Sequence, residues 1–97
     1  MDAYNRRLNI FRIELKSDIE YLYNLIEKHN HEKIIAFAHK YKMRLKYFKY
    51  NTALNYCNNI CSPQNATNSA NTVSIAKELL QELNNILREL RDESISS

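Results

Sequence analysis

The 97-residue sequence contains no glycine and only one proline. Average usage of roughly 7% would give about seven glycines in a chain of this length. Glycine-rich phosphate loops and dinucleotide-binding turns are therefore excluded, because both need glycine at fixed positions. Tight two-residue hairpins are also disfavoured, since their turns require positive φ angles. These absences favour an all-helical domain.

Cysteine and long apolar runs are also scarce. Cys57 and Cys61 are too few for a disulfide-rich secreted scaffold, and no histidine or third cysteine lies near them at a metal-ligand spacing. We therefore interpret them as a buried pair of small apolar residues and predict no metal site. No apolar run approaches the roughly 18 residues of a membrane span, and the N-terminus lacks the apolar core of a signal peptide. A soluble, cytoplasmic protein is expected.

Apolar residues recur at spacings of three and four in four segments, which is the period of amphipathic helices. The predicted helices span residues 4–29, 31–50, 52–61 and about 71–92. The apolar stripes of the first, third and fourth are, in order, Leu8, Phe11, Leu15, Ile19, Leu22 and Ile26; Ala53, Leu54, Cys57 and Ile60; and Ile75, Ala76, Leu79, Leu80, Leu83, Ile86, Leu87 and Leu90. Residues 62–69 are predicted to form a loop, and residues 94–97 a frayed tail. With no internal repeat or domain boundary, residues 1–97 are predicted to be one domain with its core at about 4–92. The expected fold is an all-α, antiparallel four-helix bundle with one short helix.

The second predicted helix carries the basic charge. It has six basic residues and no acidic one between Lys33 and Lys49, although the whole chain has a net charge of only +3. Its apolar stripe consists of Ile34, Ala38, Tyr41, Leu45 and Phe48. At about 100° per residue, His39 points roughly 150° away from the centre of that stripe. His39 is therefore predicted to be exposed to solvent.

Five residues share the predicted face of His39, namely Ile35, Lys42, Met43, Lys46 and Tyr50. This arrangement suits phosphoryl chemistry, because neutral imidazole is a nucleophile whose ordinary pKa is about 6.5. A lysine one turn later can stabilise the charged phosphoryl oxygens. Ile35 and Met43 would offer an apolar docking surface around the reacting atom.

Other interpretations of these residues stay open. A histidine on a basic helix is most often only a solvated surface residue. The basic helix with its tyrosines could instead bind nucleic acid, but Tyr41 and Phe48 lie on the core stripe and the basic residues do not form one line. His29 and His31 are interpreted as solvated helix-end residues. The pair Glu14 and Asp18, four residues apart, is interpreted as solvated surface.

The segment 37–48, FAHKYKMRLKYF, resembles the central motif of histidine-containing phosphotransfer (HPt) domains, which reads roughly A-H-x-L-K-G-S. The matching residues are Ala38, His39, Tyr41 at the apolar position and Lys42, followed by Ala53 and Cys57 in the next helix. The order of a long, a histidine-bearing, a short and a long helix is also similar, so the resemblance covers about residues 4–92.

The sequence departs from this motif at three positions. Met43 stands where the family has the glycine that keeps the surface beside the histidine low. A methionine side chain there either folds away or hinders the approach of a partner. Lys46 and Lys49 stand where the family has a small residue and a turn glycine.

The resemblance implies a stand-alone phosphocarrier of a two-component phosphorelay, which is not a turnover enzyme in the usual sense. The aspartyl phosphate of a receiver domain would phosphorylate His39 at Nε2, and a second receiver would take the group. Lys42 would steady the phosphoryl oxygens, and Ile35, Met43 and Lys46 would belong to the docking surface. Mg²⁺ belongs to the receiver, so no cofactor is expected, and the carrier is expected to be a monomer.

Two further expectations accompany the resemblance. Receiver active sites are acidic, so the basic helix should attract them and make the encounter sensitive to salt. The alternative is a degenerate HPt-like module that binds receivers without accepting phosphate.

Overall fold

The computed structural model of the chain describes residues 3–63 and 68–96, with the side chains of 69 and 92–96 excepted. It contains four helices: α1 (Ala3–Glu27), α2 (His31–Tyr47), α3 (Asn51–Ile60) and α4 (Ser69–Ser96). The described residues form no strand, so the predicted all-helical class with one short helix is confirmed. Residues 64–67 of the predicted loop, and residue 97 of the predicted tail, lie outside the described residues.

Left-handed residues follow the ends of α1 and α2. His29 has φ 51° and Lys49 has φ 62°. After each of them, a backbone N–H bonds back to the helix, from Asn30 to the Leu25 carbonyl (3.0 Å) and from Tyr50 to the Leu45 carbonyl (2.9 Å). These bonds satisfy carbonyls that a helix end leaves unpaired. The prediction that the second helix continues to residue 50 was wrong, because the chain leaves the helix before Lys49.

Asparagine side chains start two of the helices. The Asn30 side chain accepts a hydrogen bond from the Lys33 N–H (3.3 Å) at the start of α2. The Asn68 side chain accepts one from the Asn71 N–H (3.0 Å). Both are N-cap bonds to a donor that has no partner inside its own helix. Because Asn68 provides this cap, α4 begins earlier than predicted, and it also continues past the predicted end at residue 92.

The apolar stripes meet in a single core. The predicted stripe of α2 is buried in full, and all the predicted stripe residues of the other three helices are buried or partly buried. Three buried apolar residues lie outside the predicted stripes, namely Leu25, Phe37 and Val73. α1 packs mainly on α4, α2 packs mainly on α3, and α3 also packs on α4. None of the helices, as far as they are described, is long and apolar enough to cross a membrane.

Candidate functional site

α2 brings the predicted site residues onto its outer surface. His39 and Lys46 are exposed, and Met43 keeps 79% of its surface exposed. Ile35 and Lys42 are partly buried, with Ile35 packed against the core. Ile35 lies one turn before His39, and Lys42 and Met43 lie one turn after it, because residues three and four apart share a helix face. The imidazole therefore has an ammonium group and an exposed thioether as neighbours on the next turn of the helix.

Tyr50 does not belong to this group, and its predicted place on the face of His39 was wrong. The residue lies beyond the end of α2, after the left-handed Lys49. Its partly buried ring lies 6.1 Å from that of Phe11 and 6.5 Å from that of Phe48, measured between centroids. The helical spacing used to place Tyr50 fails because the helix has already ended.

α3 packs beneath the Ile35 and Lys42 side of the site. The thiol of Cys61 lies 3.9 Å from the Ile35 carbonyl oxygen, to which it donates a weak hydrogen bond. Cys57 is fully buried, and burial raises the pKa of its thiol to about 12, an effect that the positive charge of Lys42 partly opposes. The predicted burial is therefore confirmed for Cys57, whereas Cys61 is only partly buried. Among the described residues, no cluster of three or more histidine, cysteine or acidic side chains could hold a metal ion.

Five lysines make the surface of α2 and its C-terminal turn basic. They are Lys33, Lys40, Lys42, Lys46 and Lys49, and all except the partly buried Lys42 are exposed. In the part of the chain that the structure describes, no ion pair joins a carboxylate to any of these five lysines. These charges are therefore available to an acidic or phosphorylated partner.

The sixth basic residue, Arg44, connects α2 to α1. Its guanidinium pairs with Glu14 at 2.5 Å and with Asp18 at 3.4 Å. The Tyr41 hydroxyl donates a hydrogen bond of 2.7 Å to the same Asp18 carboxylate. Burial, and then Asp18, raise the pKa of the Tyr41 hydroxyl above its ordinary range. The interpretation of Glu14 and Asp18 as merely solvated was wrong, because α2 presents Tyr41 and Arg44 to them.

A groove between α1 and α2 opens beside Met43, and no pattern in the sequence predicted it. The groove has a volume of about 290 Å³, and its lining residues are Arg7, Ile10, Phe11, Glu14, Met43, Arg44, Tyr47 and Phe48. Ile10 lies outside the predicted core stripe of α1 and is 49% exposed. An exposed isoleucine of this kind was the available signal, but a single sequence does not show which neighbour it meets.

Comparisons of the chain with models of protein families, with curated proteins and with solved structures gave no match.

Proposed function

We propose that the protein is a histidine phosphocarrier of the HPt type. In this proposal His39 accepts a phosphoryl group from the aspartate of one receiver domain and passes it to another. The observation that carries the proposal is the exposed His39 on a basic helix, with Lys42 one turn further on and an apolar surface beside it. We further propose an antiparallel bundle that acts as a monomer in the cytoplasm.

Three backbone and packing features support the resemblance on which the proposal draws. Lys49, at the position of the motif's turn glycine, has φ 62°, a value that glycine adopts without a steric cost. Ala38, next to the histidine, is fully buried, as is Cys57 in the following helix. The four helices also follow one another in the order expected of the family.

The proposed transfer is a displacement at phosphorus. The Nε2 lone pair of His39 forms a bond to phosphorus while the bond from phosphorus to the aspartyl oxygen breaks. The electron pair of the broken bond between phosphorus and oxygen stays with the departing carboxylate. The ring proton stays on Nδ1 until solvent removes it. The Lys42 ammonium would stabilise the phosphoryl oxygens during the displacement. The second transfer reverses these steps on another receiver.

The five lysines without ion pairs would guide the encounter. An acidic receiver surface is attracted to α2 before contact, and the attraction weakens as salt screens it. The rate of phosphotransfer is therefore expected to fall with ionic strength. Receiver binding should show the same salt dependence. Because that dependence comes from the lysines, it should persist in binding when His39 is replaced.

One observation favours a second candidate, a degenerate module that binds receivers without accepting phosphate. Met43 is 79% exposed at the position where the motif has glycine. A side chain of that size next to His39 would hold a partner's phosphoryl group away from Nε2 if it did not move aside.

The deciding experiment measures acid-labile, alkali-stable label after mixing the protein with a panel of phosphorylated receiver domains. The variant His39→Gln should take up no label, whereas the matched variant His29→Asn should take up as much as wild type. Asparagine suits position 29 because it tolerates the left-handed φ of 51° there. Circular dichroism should show the same helix content in all three proteins.

A second pair of variants tests the lysine. Lys42→Gln should slow the transfer by about tenfold. This effect is small for the loss of a charged donor, because Lys42 is only partly buried and water weakens its electrostatic contribution. Lys40→Gln removes another lysine of the same basic surface and so measures the loss of attraction alone, which should slow the transfer by no more than about twofold. Label on His39→Gln would refute the carrier role of His39, and receiver binding without label on wild type would favour the degenerate module.

A further inference from the structure

We infer that the receiver docking over His39 places an apolar side chain, flanked by acidic residues, into the groove between α1 and α2. The inference rests on the proposed function and adds the α1 side of the groove to the docking surface. It assigns a binding role to Ile10, Arg7 and Tyr47, which lie outside the predicted docking residues.

The groove is apolar at its base and along its rim. Its base is formed by the stacked rings of Phe11 and Phe48, which are 2% and 9% exposed and have centroids 4.9 Å apart. Ile10, Met43 and Tyr47 form the rim, and each keeps close to half or more of its surface exposed. These three exposed apolar side chains line one groove, which distinguishes them from the single exposed apolar residues that are common on protein surfaces.

The charges around the groove favour an acidic partner. Arg7 donates a hydrogen bond from Nη1 to the Tyr47 hydroxyl (3.2 Å), and its guanidinium lies 5.5 Å from the centre of the Tyr47 ring. Arg7 has no carboxylate partner among the described residues, so its charge is held at the rim and is not neutralised there. Glu14 is the acidic lining residue, and it is already paired with Arg44.

The position of Met43 connects the groove to His39. Met43 lies one turn after His39 and lines the groove, so a partner that covers the imidazole also reaches the groove. A flat partner surface would meet the exposed Met43 side chain. A partner with a projecting apolar side chain would pass beside Met43 and fill the groove, so Met43 selects among receivers.

A second copy of the chain is a poorer occupant. In a twofold pair the same surface lies on both subunits, so two basic α2 helices would face each other. Like charges at close range disfavour such a complex. The acidic surface of a receiver is the complementary choice.

Two isoleucines of α1 provide a matched test. Ile10 lines the groove, whereas Ile13, at 62% exposure, is not among the lining residues. The variant Ile10→Glu should reduce transfer from receivers at least tenfold at subsaturating concentration. Ile13→Glu should remain within about twofold of wild type, because it adds the same charge to the same helix outside the groove.

Phosphoramidate separates docking from chemistry, because this small donor can phosphorylate an exposed imidazole without a protein interface. Wild type, Ile10→Glu and Ile13→Glu should all be labelled equally by it. Equal transfer from receivers to all three proteins would overturn the docking role of the groove and leave the carrier role of His39 intact. Failure of phosphoramidate to label folded wild type would instead count against His39.

If phosphoramidate fails to label wild type, receiver binding measured by calorimetry still tests the role of the groove. Binding weakened by Ile10→Glu but not by Ile13→Glu supports the inference, and binding that is equal or absent overturns it. Sedimentation of the free protein gives an independent check. A dimer of wild type that Ile10→Glu converts to a monomer would show that a second copy occupies the groove, and would overturn the inference.

Discussion

Replacing Tyr41 by phenylalanine tests how α1 holds the histidine-bearing helix. Tyr41 is only 5% exposed, and its hydroxyl donates a 2.7 Å hydrogen bond to the Asp18 carboxylate. The substitution keeps the ring, and so keeps its packing against Phe11 and Phe37. The hydroxyl and its hydrogen bond are the parts removed, which makes the expected loss of stability calculable.

A hydrogen bond to a charged group contributes about 1.5–3 kcal/mol to stability. The Asp18 side chain is 30% exposed and lies 3.4 Å from the Arg44 guanidinium, so water and Arg44 would compensate in part. We therefore expect Tyr41→Phe to lower the free energy of unfolding by about 1–2 kcal/mol. In urea this corresponds to a midpoint about 1 M lower.

The pH dependence gives a second, independent signature. The ordinary pKa of tyrosine is about 10, and burial together with Asp18 raises the pKa of Tyr41 in the native state. Above pH 10 the unfolded chain therefore releases a proton that the native protein keeps, and stability falls by about 1.4 kcal/mol per pH unit. The stabilisation by Tyr41 is complete below pH 10 and is lost above it. Wild type and Tyr41→Phe should have nearly equal stabilities close to pH 11.

Urea unfolding followed by circular dichroism at pH 8, 9, 10 and 11 measures both effects. Tyr23→Phe is the matched control, since the Tyr23 side chain is 52% exposed, and it should follow wild type at every pH. A stability difference between wild type and Tyr41→Phe that stays constant up to pH 11 would refute the burial of the hydroxyl against Asp18. A difference below about 0.5 kcal/mol at pH 8 would refute the contribution of the hydrogen bond.

The backbone and the thiols give two further predictions. Lys49→Gly should raise the free energy of unfolding by about 0.5–1 kcal/mol, because the φ of 62° at this residue is costly for lysine. In the same urea titration, the control Lys40→Gly within α2 should lower the free energy of unfolding by about 1 kcal/mol. A destabilised Lys49→Gly would contradict the left-handed turn. With a thiol reagent at pH 8, the native protein should expose only Cys61 to modification, because Cys57 is fully buried and its pKa is raised to about 12. Reaction of both thiols at the same rate before unfolding would show that Cys57 is not in the core.

The core of the bundle could be predicted from the sequence because it depends on a regular period. Each residue of the predicted stripe of α2 is buried, from Ile34 to Phe48. Phe37 was not predicted because it lies at the edge of the stripe. The Tyr21 ring of α1 lies 6.2 Å from the Phe37 ring, so α1 covers a wider face of α2 than the stripe itself. A spacing rule gives the centre of a buried face, whereas the neighbours decide its width.

Helix ends were less predictable, and Lys49 shows the reason. A left-handed residue is usually signalled by glycine or asparagine, and lysine gives no such signal. The chain adopts φ 62° at Lys49 because the hydrogen bond from Tyr50 to Leu45 closes the end of α2. The placement of Tyr50 on the face of His39 failed for this reason, whereas the exposure of His39 itself follows from helical spacing alone.

Contacts between helices could not be read from one sequence. Glu14 and Asp18 lie one turn apart on α1, and Tyr41 and Arg44 lie one turn apart on α2. Each pair is visible in the sequence, but only the packing of α1 against α2 shows that the two pairs meet. The groove beside Met43 depends on the same packing, so the sequence could predict the histidine and its lysine but not the surface beside them.

The distribution of charge separates the attraction of a partner from its selection. α1 carries four basic and four acidic residues, and no charged residue occurs from Tyr50 to Ala76. α4 carries three basic and five acidic residues, so α2 is the strongly basic helix and the others are neutral, balanced or net acidic. An acidic partner is therefore attracted towards His39 from a distance. Attraction of this kind does not distinguish one acidic protein from another, and it governs mainly the association rate. The groove is a short-range contact, so it should govern how long the complex lasts. For the proposed receiver complex, added salt should therefore slow association, whereas Ile10→Glu should speed dissociation. One effect without the other would show that the partner uses only one of the two surfaces.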